Sequence, residues 1–315
     1  MKQKPIFIIN TGRCGSTFLS RIINEHPQFL VISELIEPIA HNPYFDNHRV
    51  DGNTFWDYLN RKSMQQRVDI WRKTKTRELG YLDENDENVS LLSAYTLPQL
   101  SEEHLELRNK IHDEVCAWST ESVSKHFINL MELIRDIFGK EIWIERTGGS
   151  INQVDRIVKV WPEAKFIYIF RNGYSTLKSM YRHPILSMFS YLNAGHRWDV
   201  AAPPNPVYIA QMWYDWMFKG LSVYSKTKNT QKLVVNYDHL LGAPEDEASG
   251  VLKFCRQDEC LRNYDNRWLK WVSSQIRVND ENKGNGNYDD DLLYEEYQKH
   301  RSVLSEQFPE LENML

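Results

Sequence analysis

Residues 6–23 of the chain read IFIINTGRCGSTFLSRII, and this stretch decides the fold. Its first four residues, Ile6 to Ile9, are β-branched or aromatic, which predicts a buried strand. A turn with two glycines follows, and after Thr17 the apolar residues recur at helical spacing. A strand, a turn and a helix start in this order aim free backbone N–H groups and a helix dipole at one point. The stretch therefore predicts an anion site within an α/β fold.

The residue types in this turn favour a phosphate group as the anion. Gly12 and Gly15 let the backbone turn and approach a ligand closely. Arg13 supplies a guanidinium that can form paired hydrogen bonds with oxyanions. Ser16 and Thr17 add hydroxyl donors in the first helical turn. The alternative is an ordinary strand-to-helix turn, since Gly, Ser and Thr are also good capping residues.

The same turn has two alternative interpretations, an NTPase loop and a reactive thiol. An NTPase loop needs Gly-x-x-x-x-Gly-Lys-Ser/Thr, whereas here only two residues separate Gly12 from Gly15 and no Lys precedes Ser16. A reactive thiol is the second alternative, because a helix N-terminus lowers the pKa of a cysteine such as Cys14. No partner cysteine or nearby histidine in the sequence supports that role, so the phosphate site is favoured.

A second strand, turn and helix start stands at residues 165–180, which read KFIYIFRNGYSTLKSM. Arg171 follows the strand, at the edge where open α/β sheets bind their ligands. Ser179 comes about two helical turns later, so it can share one phosphate with Arg171. An NTPase usually ends such a strand with a metal-binding Asp, and an Arg there indicates a ligand held without a metal. The alternative leaves Arg171 capping the strand and Ser179 facing solvent.

Along the rest of the chain, short β-branched and aromatic runs alternate with stretches of helical periodicity. This is the pattern of a mostly parallel sheet with crossover helices. Strands are predicted at 5–10, 28–33, 141–145, 165–170 and 232–236, and long helices at 121–139 and 205–228. The stretch from about 40 to 125 is rich in Asn, Asp, Glu, Arg and Trp, which favours a helical insertion. We expect a single α/β domain over 1–315.

Composition and charge exclude several classes of protein. The 315 residues carry 38 Lys and Arg against 43 Asp and Glu, a formal charge of −5, which disfavours binding to nucleic acid through a basic surface. The longest apolar run, Phe166–Phe170, falls far short of the ~20 residues that span a bilayer. The run Ile6–Ile9 is too short for a signal peptide. We therefore expect a cytoplasmic protein that binds neither membrane nor nucleic acid, and the four cysteines show no zinc spacing.

Together the two strand-turn-helix units resemble the sulfotransferases that use 3′-phosphoadenosine 5′-phosphosulfate. The matching motifs are Gly12-Arg13-Cys14-Gly15-Ser16-Thr17, with His26-Pro27 downstream, and Phe170-Arg171-Asn172-Gly173 followed by Ser179. Residues 143–147 look like the family's Glu-Lys-Thr-Pro, and residues 235–240 look like its Arg-Tyr-Glu-Asp-Leu. Gly148 stands where the family has Pro, and Arg146 where it usually has Lys.

The resemblance implies a P-loop-like fold, a donor and an acceptor. It assigns donor binding to Gly12, Arg13, Cys14, Gly15, Ser16, Thr17, Arg171 and Ser179, with the first turn on the 5′-phosphosulfate and the Arg171 and Ser179 pair on the 3′-phosphate. No metal is implied, and adenosine 3′,5′-bisphosphate is the product. The first loop is more similar to the carbohydrate, tyrosyl-protein and bacterial small-molecule branches than to the phenol and steroid branch. The acceptor is then a small hydroxylated or amine-bearing molecule, with the insertion contributing to its pocket.

Sulfuryl transfer requires charge stabilisation and a proton acceptor. Arg13, with Arg146 at the position of the family's Lys, is predicted to stabilise charge. Glu34 directly follows the predicted strand 28–33, beside the predicted phosphosulfate site, and matches the catalytic Glu that related branches place after His-Pro. Alternatively, Glu34 caps the next segment or pairs with an arginine. The other candidate bases are Glu37, His41 and His183.

Two functions of other classes stay open at this point. One is an atypical P-loop nucleotide kinase, which would need Mg²⁺ and ATP. The other is a catalytically silent nucleotide-binding module, which would bind the nucleotide without turning it over.

Overall fold

The central sheet has five strands, and all five lie where the sequence predicts them. A computed structural model describes residues 3–36, 39, 48–60, 90, 92–197, 203–256, 265–276 and 290–315. The five strands are β1 (Ile6–Ile9), β2 (Phe29–Ser33), β5 (Ile142–Arg146), β6 (Lys165–Phe170) and β7 (Lys232–Asn236), and two short ones are β3 (Arg49–Val50) and β4 (Glu121–Ser122). The central sheet has the order β2, β5, β1, β6, β7, and β2 with β5 and β6 with β7 pair in parallel. The predicted α/β class with a mostly parallel sheet flanked by helices is confirmed.

The helices of the described residues follow the strands along the chain. They are α1 (Ser16–Asn24), α2 (Gly52–Leu59), α3 (His104–Cys116), α4 (Val123–Ile137), α5 (Val154–Val160), α6 (Gly173–Tyr181), α7 (Pro184–Asn193), α8 (Pro206–Lys226), α9 (Tyr237–Gly242), α10 (Pro244–Arg256), α11 (Asp265–Ile276) and α12 (Asp290–Gln307). The predicted helices at 121–139 and 205–228 correspond to α4 and α8. Searched over the described ranges, the helices include none that is long and apolar enough to cross a membrane.

The chain divides into two compact units, with the division falling inside β1. The first unit comprises residues 1–7, 27–147 and 156–164. Its strands β2 and β5 run in register from Phe29 opposite Ile142 to Ser33 opposite Arg146. Helix α4 begins after Ser122, whose hydroxyl accepts the Lys125 N–H, a capping bond that satisfies one of the free donors of the first turn.

The predicted insertion, residues 40–125, belongs to this first unit. Its described part holds helices α2 and α3, the antiparallel pair β3 and β4, and a π-helix at Leu92–Thr96. The described residues of this stretch thus include both helices and a short β-pair, and its assignment as a helical insertion stays a prediction. The expectation of a single domain over 1–315 stays a prediction.

The second unit comprises residues 8–26, 148–155 and 165–315. Strands β6 and β7 pair from Phe166 opposite Lys232 to Phe170 opposite Asn236. Helix α8 starts at a proline that follows Asn205, whose side chain accepts two backbone N–H groups. The apolar stripe of α8 is buried throughout, as expected for core packing, and it consists of Ile209, Met212, Trp213, Trp216, Met217 and Leu221.

Candidate functional site

The turn after β1 has the left-handed backbone of an anion-binding loop. Gly12, Arg13 and Gly15 have φ angles of 73°, 58° and 90°. Left-handed residues in a turn direct successive N–H groups into one concavity, which attracts anions. A non-glycine residue such as Arg13 adopts this conformation only where surrounding contacts impose it.

Asn10 and Ser150 supply contacts that hold this turn. The Asn10 side chain is buried, and its Oδ1 accepts the N–H of Gly12 at 2.9 Å and that of Gly149 at 3.3 Å. The Ser150 hydroxyl accepts the Asn10 N–H at 3.2 Å and donates to the Ile8 carbonyl at 2.9 Å. Sequence reasoning missed both residues, although an Asn that directly precedes a glycine turn is typical of a side chain that bonds the backbone two residues on.

Gly15 is required by the aromatic ring that lies against it. A Cβ atom at this position would lie 2.0 Å from Cδ2 and 2.3 Å from Cε2 of Tyr237, inside the ring's van der Waals surface. Tyr237 is the residue directly after β7, and its ring also meets Phe18 edge-on at 6.1 Å between centroids. The resemblance includes Tyr237 in a motif, but the packing of Tyr237 on the turn after β1 is seen only in the structure.

A hydrogen bond joins the two predicted donor-binding motifs. Arg13 Nε donates to the Ser179 hydroxyl at 3.0 Å, across 166 positions of sequence. Helix α6 carries Ser179 and begins after Asn172, whose side chain accepts the Ser175 N–H at 3.0 Å. The first turn and the second helix of the predicted site are therefore adjacent in the second unit.

Arg171 lies at the end of β6, as predicted, and faces Tyr237 and Asp238. Its guanidinium carbon is 5.4 Å from the centre of the Tyr237 ring, a cation–π arrangement, and its Nε is 3.9 Å from Asp238 Oδ1. Asp238 Oδ2 accepts the Asn172 N–H at 3.0 Å. The Arg171 Nε is buried and makes no hydrogen bond to any residue of the described ranges. A donor in this state is suited to an oxyanion ligand.

The structure gives no support to the alternative of a reactive thiol. The Cys14 side chain is buried, and burial raises its pKa against the opposing effect of hydrogen bonds from Thr11 and Ser16. A thiol with a raised pKa stays protonated at neutral pH and is a poor nucleophile. The thiol of Cys14 is therefore buried and protonated. Thr17, by contrast, is exposed in the first turn of α1.

Glu34 and Arg146 form an ion pair in the first unit. The Glu34 carboxylate accepts a short hydrogen bond from Arg146 Nη1, and the Glu34 N–H donates to the Arg146 carbonyl at 2.9 Å. The Arg146 side chain is 2% exposed and that of Glu34 is 16% exposed. The alternative in which Glu34 pairs with an arginine is thus what the structure shows, and a catalytic role for Glu34 stays a prediction. Glu34 has a φ angle of 61°, a strained value for this residue type.

Of the remaining candidate bases, only His183 is among the described residues. His183 directly precedes helix α7. Glu37 and His41 lie outside the described residues. Within the described ranges, no group of three or more His, Cys, Asp or Glu side chains is arranged to hold a metal ion.

Comparison with known proteins gives the family. A profile of the sulfotransferase family matches residues 5–258. The solved structure of a sulfotransferase domain from the curacin biosynthetic pathway is similar with a TM-score of 0.50 and 14% identity, covering 97% of this chain and 99% of that one. The sulfotransferase STF9 from Mycobacterium avium is similar with a TM-score of 0.51 and 11% identity, over 97% of this chain and 77% of that one. No curated protein sequence matches.

The two solved structures are related to this chain through the fold alone, because their sequence identity is low. The family profile covers most of the chain and includes both motifs that are predicted to bind phosphate, as well as Glu34 and Arg146. The chain belongs to the sulfotransferase family.

Proposed function

We propose that this protein transfers a sulfuryl group from 3′-phosphoadenosine 5′-phosphosulfate to a hydroxyl or amine group of a small-molecule acceptor. The observation that supports this most is the hydrogen bond from Arg13 to Ser179. It brings together two motifs that, in this family, bind the two phosphorylated ends of one nucleotide. A ligand with a single phosphate would not need both motifs for binding.

The residues of the second unit are proposed to hold the donor. The backbone of residues 12–17 binds the 5′-phosphosulfate end, and Arg171 with Ser179 binds the 3′-phosphate. The Nε of Arg171, which makes no hydrogen bond within the described residues, and the guanidinium of Arg13 supply charge-assisted donors at these positions. When bound, the donor supplies an activated sulfuryl group whose leaving group is the nucleotide phosphate.

Glu34 is proposed to accept the acceptor's proton, with Arg146 beside it. As the acceptor oxygen or nitrogen forms its bond to sulfur and the sulfur–phosphate oxygen bond breaks, Glu34 takes the proton. Arg146 orients the Glu34 carboxylate through their ion pair and offers positive charge to the developing oxyanion. The insertion at about 40–125 is proposed to contribute to binding of the acceptor.

Ligand-induced stabilisation distinguishes this function from a kinase. A ligand that binds only the folded protein raises the melting temperature in proportion to ln(1 + [L]/Kd). We expect adenosine 3′,5′-bisphosphate to stabilise the protein without added metal, and ATP with Mg²⁺ to do so much less. Preferential stabilisation by ATP with Mg²⁺ would reject the sulfotransferase assignment in favour of a kinase.

Turnover distinguishes it from a silent nucleotide-binding module. The purified protein is incubated with the phosphosulfate donor and, in separate reactions, with alcohols, phenols, sugars and amines, and release of adenosine 3′,5′-bisphosphate is measured. We expect acceptor-dependent release with at least one class. The Glu34→Gln variant is the matched control, because it keeps the shape of the site and removes the proton acceptor.

A further inference from the structure

Glu145 carries a carboxyl group that is completely shielded from solvent. It precedes Arg146 in β5, and its exposed fraction is 0%. Its Oε1 accepts the Ile36 N–H at 3.1 Å and the Thr147 hydroxyl at 2.5 Å. Its Oε2 is buried and makes no hydrogen bond to a residue of the described ranges. An ionised carboxylate would leave charge on that oxygen without a donor, which is costly in a buried site.

The surroundings of Glu145 favour its neutral form. Burial raises the pKa of Glu145 to about 8, although the hydrogen bonds from Thr147 and Ile36 act in the opposite direction. The charged groups that act on it within the described residues are Glu34, which raises the pKa, and Arg146, which lowers it. At neutral pH Glu145 is therefore protonated.

The hydrogen bond from Ile36 to Glu145 holds the segment that follows Glu34. The left-handed conformation of Glu34 persists only if neighbouring contacts impose it. Arg146 provides two of these contacts, through its carbonyl and its guanidinium, both on Glu34 itself. Glu145 provides the third, on the other side of the turn, two residues beyond Glu34. Two successive residues of β5 thus fix both sides of the turn.

We propose that Glu145 is a positioning residue that, in its neutral form, holds the turn of residues 34–36 and thereby sets the direction of the Glu34 carboxylate. This inference rests on the proposed function only for its effect on catalysis. Ionisation of Glu145 adds a second buried negative charge beside the one on Glu34, so the turn loosens as the pH rises. The positioning role thus requires Glu145 to stay neutral beside the ion pair of Glu34 and Arg146.

Two substitutions at one position separate charge from hydrogen bonding. Glu145→Gln keeps an acceptor oxygen for Ile36 and Thr147 and cannot ionise. Glu145→Leu fills a similar volume and accepts no hydrogen bond. Glu141→Gln is the matched control, because Glu141 stands just before β5, is exposed, and also accepts a side-chain hydrogen bond.

The first measurement is the exchange rate of the Ile36 amide hydrogen at pH 7. We expect it to stay within about threefold of the wild-type rate in Glu145→Gln and Glu141→Gln, and to rise by about fivefold to more than a hundredfold in Glu145→Leu, since leaving a buried N–H without its acceptor costs about 1–3 kcal/mol. The second is the unfolding midpoint between pH 4 and 9.5. A carboxyl whose pKa is raised in the folded state stabilises the protein fully below its ordinary pKa of 4.5, and this stability falls as the pH rises from there to about 8, above which it is lost.

The unfolding midpoint of the wild type and of Glu141→Gln should fall in this way as the pH rises, and that of Glu145→Gln should not. The inference is overturned if the midpoint of Glu145→Gln falls as much as that of the wild type, or if its Ile36 amide exchanges as fast as that of a variant without the acceptor. The Glu145→Gln comparison decides the matter by itself if Glu145→Leu fails to fold.

Activity is measured separately on the same variants. We expect Glu145→Leu to lower kcat by about 10- to 100-fold while the KM for the donor changes less than about twofold, because the base is misdirected and the nucleotide site is not. Glu145→Gln should recover most of kcat at pH 7. A protein that shows the amide and pH effects but no sulfuryl transfer contradicts the proposed function and leaves the positioning of Glu34 by Glu145 in place. Sulfuryl transfer without those effects contradicts the inference alone.

Discussion

Replacing Gly15 by alanine tests how closely Tyr237 packs on the turn after β1. Gly15 has a φ of 90°, and a Cβ atom there would lie 2.0 Å from the Tyr237 ring. The left-handed conformation costs an L-residue about 1–2 kcal/mol. Insertion of a methyl group into a filled site costs about 1–3 kcal/mol more. We therefore expect Gly15→Ala to lower the free energy of unfolding by about 2–5 kcal/mol.

Gly139→Ala is the matched control for the backbone cost. Gly139 also has a left-handed φ, of 61°, but no atom lies within 4 Å of the position its Cβ would take. The control should lose only about 1–2 kcal/mol. The difference between the two variants then measures the contact with Tyr237.

Denaturant unfolding, followed by tryptophan fluorescence, gives both free energies. Thermal shifts with adenosine 3′,5′-bisphosphate add a functional readout, because the nucleotide stabilises only a protein with an intact turn. Gly15→Ala should lose most of this stabilisation and Gly139→Ala should keep it. Equal unfolding free energies for the two variants, with normal nucleotide binding by Gly15→Ala, would refute the reasoning.

Three further predictions concern charge and hydrogen bonding at the proposed site. Glu34→Gln should lower turnover by about 10²–10⁴-fold with little change in nucleotide affinity; near-normal turnover of the folded variant, measured with a saturating acceptor, would exclude Glu34 as the base. In a double-mutant cycle, Arg13→Ala and Ser179→Ala should be non-additive by at least about 0.5 kcal/mol in calorimetric binding of adenosine 3′,5′-bisphosphate, because the two side chains are hydrogen-bonded to each other, and additive effects would contradict this coupling. Asp238→Asn should tighten that binding by about two- to fivefold, because it removes a negative charge near Arg171 from a half-exposed site; weaker binding, measured in the same titrations, would contradict this.

Strands β1, β2, β5 and β6 of the central sheet are predictable because they are largely buried on both faces. Strands of that kind appear in sequence as continuous apolar runs. The residues of β6 are all buried, and the structure bounds this strand at 165–170 as predicted. The turn after β1 is predictable for a different reason, since its glycines and hydroxyl residues are the types that a left-handed, anion-binding turn requires.

The pairings within the candidate site depend on strand register and on long-range packing. Glu34 and Arg146 are 112 positions apart in sequence. They form an ion pair because Ser33, the residue before Glu34, lies opposite Arg146 in the pairing of β2 with β5. Nothing in the local sequence encodes that register. The same holds for the Tyr237 ring over Gly15, and for Glu145, whose role follows from burial and from its bond to Ile36 rather than from its motif.

The central claim is that this protein binds a nucleotide through a 3′-phosphate held by Arg171. Calorimetric titration of the wild type, Arg171→Ala and a control, Arg49→Ala, tests it with two ligands, adenosine 3′,5′-bisphosphate and adenosine 5′-phosphosulfate. Arg49 is an exposed arginine in an ion pair with Glu121, whereas the Arg171 side chain is only 32% exposed, and removal of either costs the protein the same charge.

A charge-assisted hydrogen bond contributes roughly 1.5–3 kcal/mol, so Arg171→Ala should weaken binding of the bisphosphate by about tenfold to more than a hundredfold. Its binding of the phosphosulfate should hardly change, and Arg49→Ala should bind both ligands like the wild type. Equal losses for the two ligands in Arg171→Ala, or no binding of the bisphosphate to the wild type, would contradict the claim.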